Sequence, residues 1–341
     1  MKKHVGKQTV ILENPPSIIG ASSTVGPKEA QGPLGDYFDV KVEDELWEEE
    51  TWEKAESKFT KQTIKDALAN AKLKPEDIQY LFAGDLLNQI TATTFGIRDF
   101  NIPYFGLFGA CSTMTESMSL GSMIIDGGYA DYVIAATSSH FCGAEKQFRF
   151  PLELGTQRAM TAQWTVTGSG AVVIAREGNG PYVTSVTTGR IVDLGIKDTF
   201  NMGAAMAPAA ADTIVQHFKD TGKTPDYYDL IITGDLGEYG RELLIKLAQK
   251  EGYELGDLLT DCGIEIFDPD SQDTHAGGSG CGCAAAVFSS YLYKEIKKGK
   301  WNKILFIATG ALHSSGSYQQ GETIPGIAHA VAVEKSLSKR K

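Results

Sequence analysis

The chain has 341 residues, with 32 lysines and arginines against 43 aspartates and glutamates, a net charge of −11. That balance argues against nucleic acid and against direct electrostatic binding to anionic lipid. Its apolar runs are strand-sized, too short to span a bilayer, and its five cysteines (111, 142, 262, 281 and 283) form no even disulfide framework.

The opening Met1-Lys2-Lys3-His4 is polar, with no apolar signal core behind it. A cytosolic protein with reduced thiols is therefore expected. A Gly/Pro-rich and acidic stretch covers about 26–53. Its acidic part, Glu43 to Glu53, holds Trp47 and Trp52 and reads either as a partner-docking element or as a solvated helix face. Next, Ala55, Phe59, Thr63, Ala67 and Ala71 recur every fourth residue beside Ile64 and Leu68, the pattern of a helix. Past Pro75 a buried strand is expected to end in Gly84-Asp85-Leu86. Then comes the run Ile102 to Phe108, followed by Gly109-Ala110-Cys111-Ser112-Thr113. Strand, glycine, cysteine, helix puts a thiol at a helix N-terminus, where the dipole favours a thiolate; the other reading is a small buried hydrophobe. The helix should end at Gly127, ahead of a strand from Asp131 to Thr137.

The second half repeats this layout. Ile214, Val215 and Phe218 run into Gly222; Pro225 precedes a strand ending in Gly234-Asp235-Leu236; Lys297-Lys298-Gly299 precedes a strand from Lys303 to Thr309. Carried back without a gap from Thr137 and Thr309, the repeat sets Cys111 on Cys283. A long-period duplication outranks any short motif, and continuous apolar strands alternating with helices make an α/β fold with sheets covered on both faces. The expected halves are 1–180 and 181–341.

The cysteine turn and the run Thr165 to Ile174 resemble the ketoacyl synthase III branch of the thiolase-like family. That resemblance implies an αβαβα sandwich of two duplicated halves about a pseudo-two-fold axis, and a homodimer. In that branch a histidine just after the second-half strand and an asparagine before the second central helix serve the cysteine. Alignment puts Gly234 and Gly278 in those places, and glycine supplies neither a proton nor a side-chain hydrogen bond. The resemblance with those gaps implies a non-catalytic protein in which Cys111 is a vestigial nucleophile. The alternative is a Cys-dependent acyltransferase using acyl-coenzyme A. His140 and His313, just beyond the paired strand ends, are read either as replacements for the missing histidine or as structural residues.

A narrower resemblance rests on Gly26 to Gly35, Ala144 to Arg149, Thr161 to Gly168, Asn201 to Ala210 and Gly277 to Cys283. These stretches are similar to a sporulation branch of the family from spore-forming bacteria. It implies a ligand, dipicolinic acid or its calcium chelate, and membrane-embedded sister subunits that hold the protein at the spore inner membrane. It also implies a part in moving that compound into the forespore and out at germination. Expected ligand contacts are Cys111, Asn88, Gln89, His140, Lys146, Arg149, Gln163, Gly278 and His313. Lys146 and Arg149 suit a dicarboxylate, and Phe148 or Phe150 a flat ring; the plainer reading is an exposed loop with solvated charges. No cofactor or metal is expected: Cys281-Gly282-Cys283 is tighter than a zinc pair, and Asp268 to Asp273 lacks the glycine of a calcium loop.

Overall fold

The computed structural model describes residues 3–148 and 158–337. In chain order its framework begins with β1 (Ser17–Val25), α1 (Trp52–Ala71), β2 (Tyr80–Gly84), β3 (Tyr104–Gly106), α2 (Thr113–Asp126), β4 (Tyr132–Ser139), α3 (Phe141–Phe148) and β5 (Gly168–Ala175). A second series follows: β6 (Tyr182–Thr187), α4 (Met202–Thr221), β7 (Leu230–Thr233), α5 (Gly237–Lys250), β8 (Leu259–Asp261), α6 (Cys281–Val287), α7 (Tyr293–Lys298), β9 (Lys303–Ala311) and β10 (Gly326–Glu334). A π turn at Phe288–Leu292 joins α6 to α7.

The local chemistry explains these elements. Thr51 caps α1 by accepting from the Lys54 amide, and the helix closes in a left-handed Lys72. Its buried stripe, including Ala55, Phe59, Ile64, Ala67 and Leu68, packs on β1 and β5. β4, β5, β9 and β10 are buried along almost their whole length, as strands covered on both faces must be.

The first series of strands is ordered β3-β2-β4-β5-β1 and the second β8-β7-β9-β10-β6. In each, the first three strands are mutually parallel and the last two pairings antiparallel. Tyr182 opposite Ser17 is where the two arrays meet. α2 and α6 lie between the sheets: α2 touches β2 and β4 of its own array and β9 and β10 of the other, while α6 reaches across to β4 and β5. α1 covers the outside of the first array and α4 that of the second. This is the αβαβα sandwich of duplicated halves expected from the sequence. The central core joins Met114, Met118 and Ile125 of α2 to Val287 and Phe288, and to Val133, Ile174, Phe306 and Val331 from both sheets. Small residues let α6 lie close: a Cβ on Gly170 of β5 would stand 2.1 Å from the Ala285 carbonyl oxygen.

Two expectations need correction. Ala110 (φ 49°) and Gly280 (φ 97°) each turn a corner at positive φ just before a cysteine, and as Cys111 feels the charge of Asp235, Cys281 feels that of Asp85, so the counterpart of Cys111 is Cys281, two residues before Cys283. The π turn widens the second helix downstream of this corner, which an ungapped comparison cannot register. The acidic run is also not a helix face: α1 begins only at Trp52, and Trp47 leaves the run to pack edge-on against Phe59 at 5.4 Å.

Candidate functional site

β3 delivers the chain to a tight turn. Ala110 takes a left-handed conformation that a residue with a Cβ rarely adopts. Local bonds hold it there: Ser112 Oγ donates to the Gly109 carbonyl at 2.7 Å, and Thr113 Oγ1 to the Ala110 carbonyl at 2.7 Å. Cys111 follows, buried, at the mouth of α2.

Facing it across the two halves is Asp235, in the turn after β7. Its carboxylate accepts from Thr309 Oγ1 at 2.7 Å, from the Gly280 amide at 2.9 Å and from Ser279 Oγ at 3.3 Å. The Cys111 thiol lies close enough to this carboxyl to feel its charge. Complete burial pushes Asp235 up to about 7, against the downward pull of the hydrogen bonds it accepts from Thr309 and the Gly280 amide. Burial also drives the Cys111 thiol well above its ordinary range, and the charges of Asp235 and Cys281 add to the rise. The helix dipole is outweighed. Cys111 is a protonated thiol, not the thiolate that its place at a helix start suggested. Asp85 occupies the matching place in the first half, accepting from the Leu87 amide and from both the amide and hydroxyl of Thr93.

Cys111 lines a cavity of about 60 Å³. Its apolar wall includes Phe108, Phe148, Met202 and Met206; its polar groups are Thr165, Thr199, Ser279, Glu145 and His313. The His313 ring stands 5.6 Å from that of Phe148 and 6.0 Å from that of Tyr318.

Of the residues singled out in the sequence, Cys111, Phe148 and His313 meet in this cavity. Others lie elsewhere for definite reasons. Lys146 points off α3 to Glu53, at 2.7 Å, and is half exposed. The Asn88 amide donates to Gln147 Oε1 at 2.8 Å, and Gln89 sits in a left-handed turn; neither lines the cavity. Gln163 is buried, its amide nitrogen donating to the Asp235 and Gly278 carbonyls at 2.7 and 2.8 Å, a brace rather than a ligand contact. Gly278 turns away from the cavity: a Cβ there would meet Ile266 Cγ2 at 2.9 Å and Gly263 Cα at 3.2 Å, and its neighbour Ser279 lines the wall instead. His140 donates to the Glu45 carbonyl at 2.9 Å and packs edge-on to Phe59. Burial lowers its pKa, so it stays neutral. Arg149 and Phe150 lie outside the described residues. Gly234 fills a gap where a Cβ would stand 3.0 Å from Ala308 Cα and 3.2 Å from Ala284 Cβ. Asp235 was passed over, although its Gly-Asp-Leu setting is written twice; Glu145, Thr165 and Ser279 stand in stretches that carry the resemblance but were not read as contacts, and Thr199 stands in none.

The five layers and the cysteine at a left-handed corner between them define a thiolase-fold protein. OleA of Xanthomonas campestris with cerulenin bound is 14% identical, superposes with a TM-score of 0.60, and the match covers 98% of this chain and 99% of that one. 3-Oxoacyl-[acyl-carrier-protein] synthase III of Aquifex aeolicus VF5 is 16% identical, with a TM-score of 0.56 over 94% of this chain and 99% of that one. At such identities the likeness is one of fold. The family profile "Stage V sporulation protein AD" matches residues 6–334. Stage V sporulation protein AD of Bacillus subtilis (strain 168) is 47% identical over 334 residues, 98% of each chain. This chain belongs to the stage V sporulation protein AD family, a family of sporulation proteins. Among the described residues no helix is long and apolar enough to cross a membrane.

Proposed function

We propose that this protein is a non-catalytic receptor for dipicolinic acid, pyridine-2,6-dicarboxylate, alone or as its calcium chelate. It serves as the peripheral subunit of a membrane complex that moves the compound into the forespore and releases it at germination. Membrane-embedded sister subunits hold it at the spore inner membrane, and it works as a homodimer without a cofactor. Family membership supports the biological setting. The observation that supports the non-catalytic reading is the setting of Cys111: a nucleophilic thiol is activated by a lowered pKa or a cation beside it, and burial with the negative charge of Asp235 drives this one the other way.

The cavity beside Cys111 is the ligand site in this reading. Phe108 and Phe148 offer ring faces to a pyridine, and Ser279, Thr165 and His313 offer polar groups to its carboxylates. Its volume, about 60 Å³, is well below the ~300–1,000 Å³ of pockets for drug-sized ligands. Entry of dipicolinate therefore requires the cavity to widen, and the cation Arg149 follows Phe148 directly in sequence. Calorimetric titration with dipicolinate, with and without calcium, tests the reading. Saturable binding that survives Cys111→Ala supports a receptor; no heat from folded protein sinks it.

A second reading has one observation in its favour: Cys111 and His313 line the same cavity, as an acyltransferase would need. An acyl adduct on Cys111, seen by intact mass after incubation with acyl-coenzyme A, would replace the receptor by that enzyme.

A further inference from the structure

Away from the cavity, on the other side of α3, three residues of different chemistry converge. One ring nitrogen of His140, the Cys142 sulfur and a Glu45 carboxylate oxygen all lie within 4.8 Å of one another. Cys142 Sγ and Glu45 Oε2 are 3.4 Å apart, and a tetrahedral zinc ion sets its sulfur and oxygen ligands roughly 3.5 Å apart.

His140 is 1% exposed. Its Nε2 donates to the Glu45 carbonyl, which fixes the tautomer and leaves Nδ1 as a lone pair. That nitrogen is buried and has no hydrogen-bond partner among the described residues. A ring whose one nitrogen is anchored on a backbone carbonyl while the other keeps its lone pair is how metal-binding histidines are held. A buried acceptor left without a partner otherwise costs free energy. Cys142 and Glu45 are only partly buried, so an ion can reach them from solvent.

We propose that Glu45, His140 and Cys142 bind one divalent cation of the zinc class. Thiolate and imidazole together select such an ion over calcium or magnesium, which take oxygen ligands. On binding, the Cys142 S–H bond breaks, a sulfur–metal bond forms, and the proton passes to solvent. The dication is then balanced by one thiolate and one carboxylate, with its fourth position left for water. The ion pins the acidic segment at Glu45 to the start of α3, beside the Lys146–Glu53 pair. The sequence hides this site because Glu45 lies 95 residues before His140.

Cobalt(II) is the probe, titrated without oxygen into chelator-treated full-length protein. The expected result is a thiolate-to-cobalt charge-transfer band with visible bands of tetrahedral intensity. They should saturate at one equivalent and be displaced by zinc. Cys142→Ser should abolish the charge-transfer band. Glu45→Gln keeps the backbone carbonyl that holds His140 and lies on the irregular segment before α1, so the fold survives; its cobalt affinity should fall at least tenfold. The absence of a charge-transfer band in the parent protein, a band that persists in Cys142→Ser, or unchanged affinity in folded Glu45→Gln would each overturn the assignment.

Discussion

The thiol of Cys111, at the mouth of α2, is set against the carboxyl of Asp235, which the turn after β7 brings from the other half of the fold. Burial, with the negative charge of Asp235, holds the thiol in its protonated form. Reactivity follows from this. In the native protein Cys111 should be alkylated by iodoacetamide at pH 8 at least ~100-fold more slowly than in the unfolded chain, since only the thiolate reacts. Cys142, half-buried, is pushed up to about 12 by burial and by Glu45, and should also be slow. Asp235→Asn removes the neighbouring charge and should speed Cys111 labelling by about tenfold for each unit its pKa falls. Peptide mapping of the labelled protein reads the rates, and rapid labelling of native Cys111 would contradict the pairing.

Asp235 also makes stability depend on pH. Its pKa rises from 3.8 to about 7 on folding, chiefly through burial. Between those values the folded protein keeps a proton that the unfolded chain has lost, so this contribution to stability declines as pH rises from about 4 to 7 and is level above. Relative to Asp235→Asn, the parent protein should lose on the order of 2–3 kcal/mol between pH 5 and 7.5. Urea unfolding of both proteins across that range measures it. Parallel pH profiles would show that Asp235 ionises normally.

Gly234 is the place where the thiolase-fold resemblance expects a catalytic histidine, and here it is a packing residue. A methyl group added there meets Ala308 Cα at 3.0 Å and Ala284 Cβ at 3.2 Å, between β9 and α6, neither of which can yield without moving backbone. Gly234→Ala should cost about 1–3 kcal/mol, read from the denaturant midpoint at constant slope. A cost near zero would mean that the position has room for the missing side chain.

Much of the fold could be read in advance because it depends on local chemistry repeated in two places. The stripe of α1, the two Gly-Asp-Leu strand ends and the glycine stops at Gly127 and Gly299 are short-range signals, and each appears where expected. What escaped reading depends on distant partners. A gapless comparison of Cys111 assumes one common register, which the π turn at Phe288–Leu292 breaks. Lys146 was expected at the ligand because it follows a strand end, yet Glu53, 93 residues earlier, draws it to the surface. Gly278 faces away because it pairs with Trp164, a contact no spacing reveals. The cavity wall draws on segments from Leu86 to His313, and only Cys111, Phe148 and His313 among its residues were legible as ligand contacts.

The cavity and the outer surface of α3 offer dipicolinate different polar groups. If dipicolinate binds beside Cys111, the polar group to remove is His313, 7% exposed and between the rings of Phe148 and Tyr318. His313→Ala should weaken dipicolinate binding by about tenfold, or ~1.4 kcal/mol. Lys146→Ala should leave the affinity within twofold, because Lys146 is 53% exposed and engaged with Glu53, and exposed ion pairs contribute little. Calorimetry on the two folded variants decides between the sites. The opposite pattern, with Lys146 essential and His313 dispensable, would move the ligand to the outer face of α3 and leave the Cys111 cavity without an occupant.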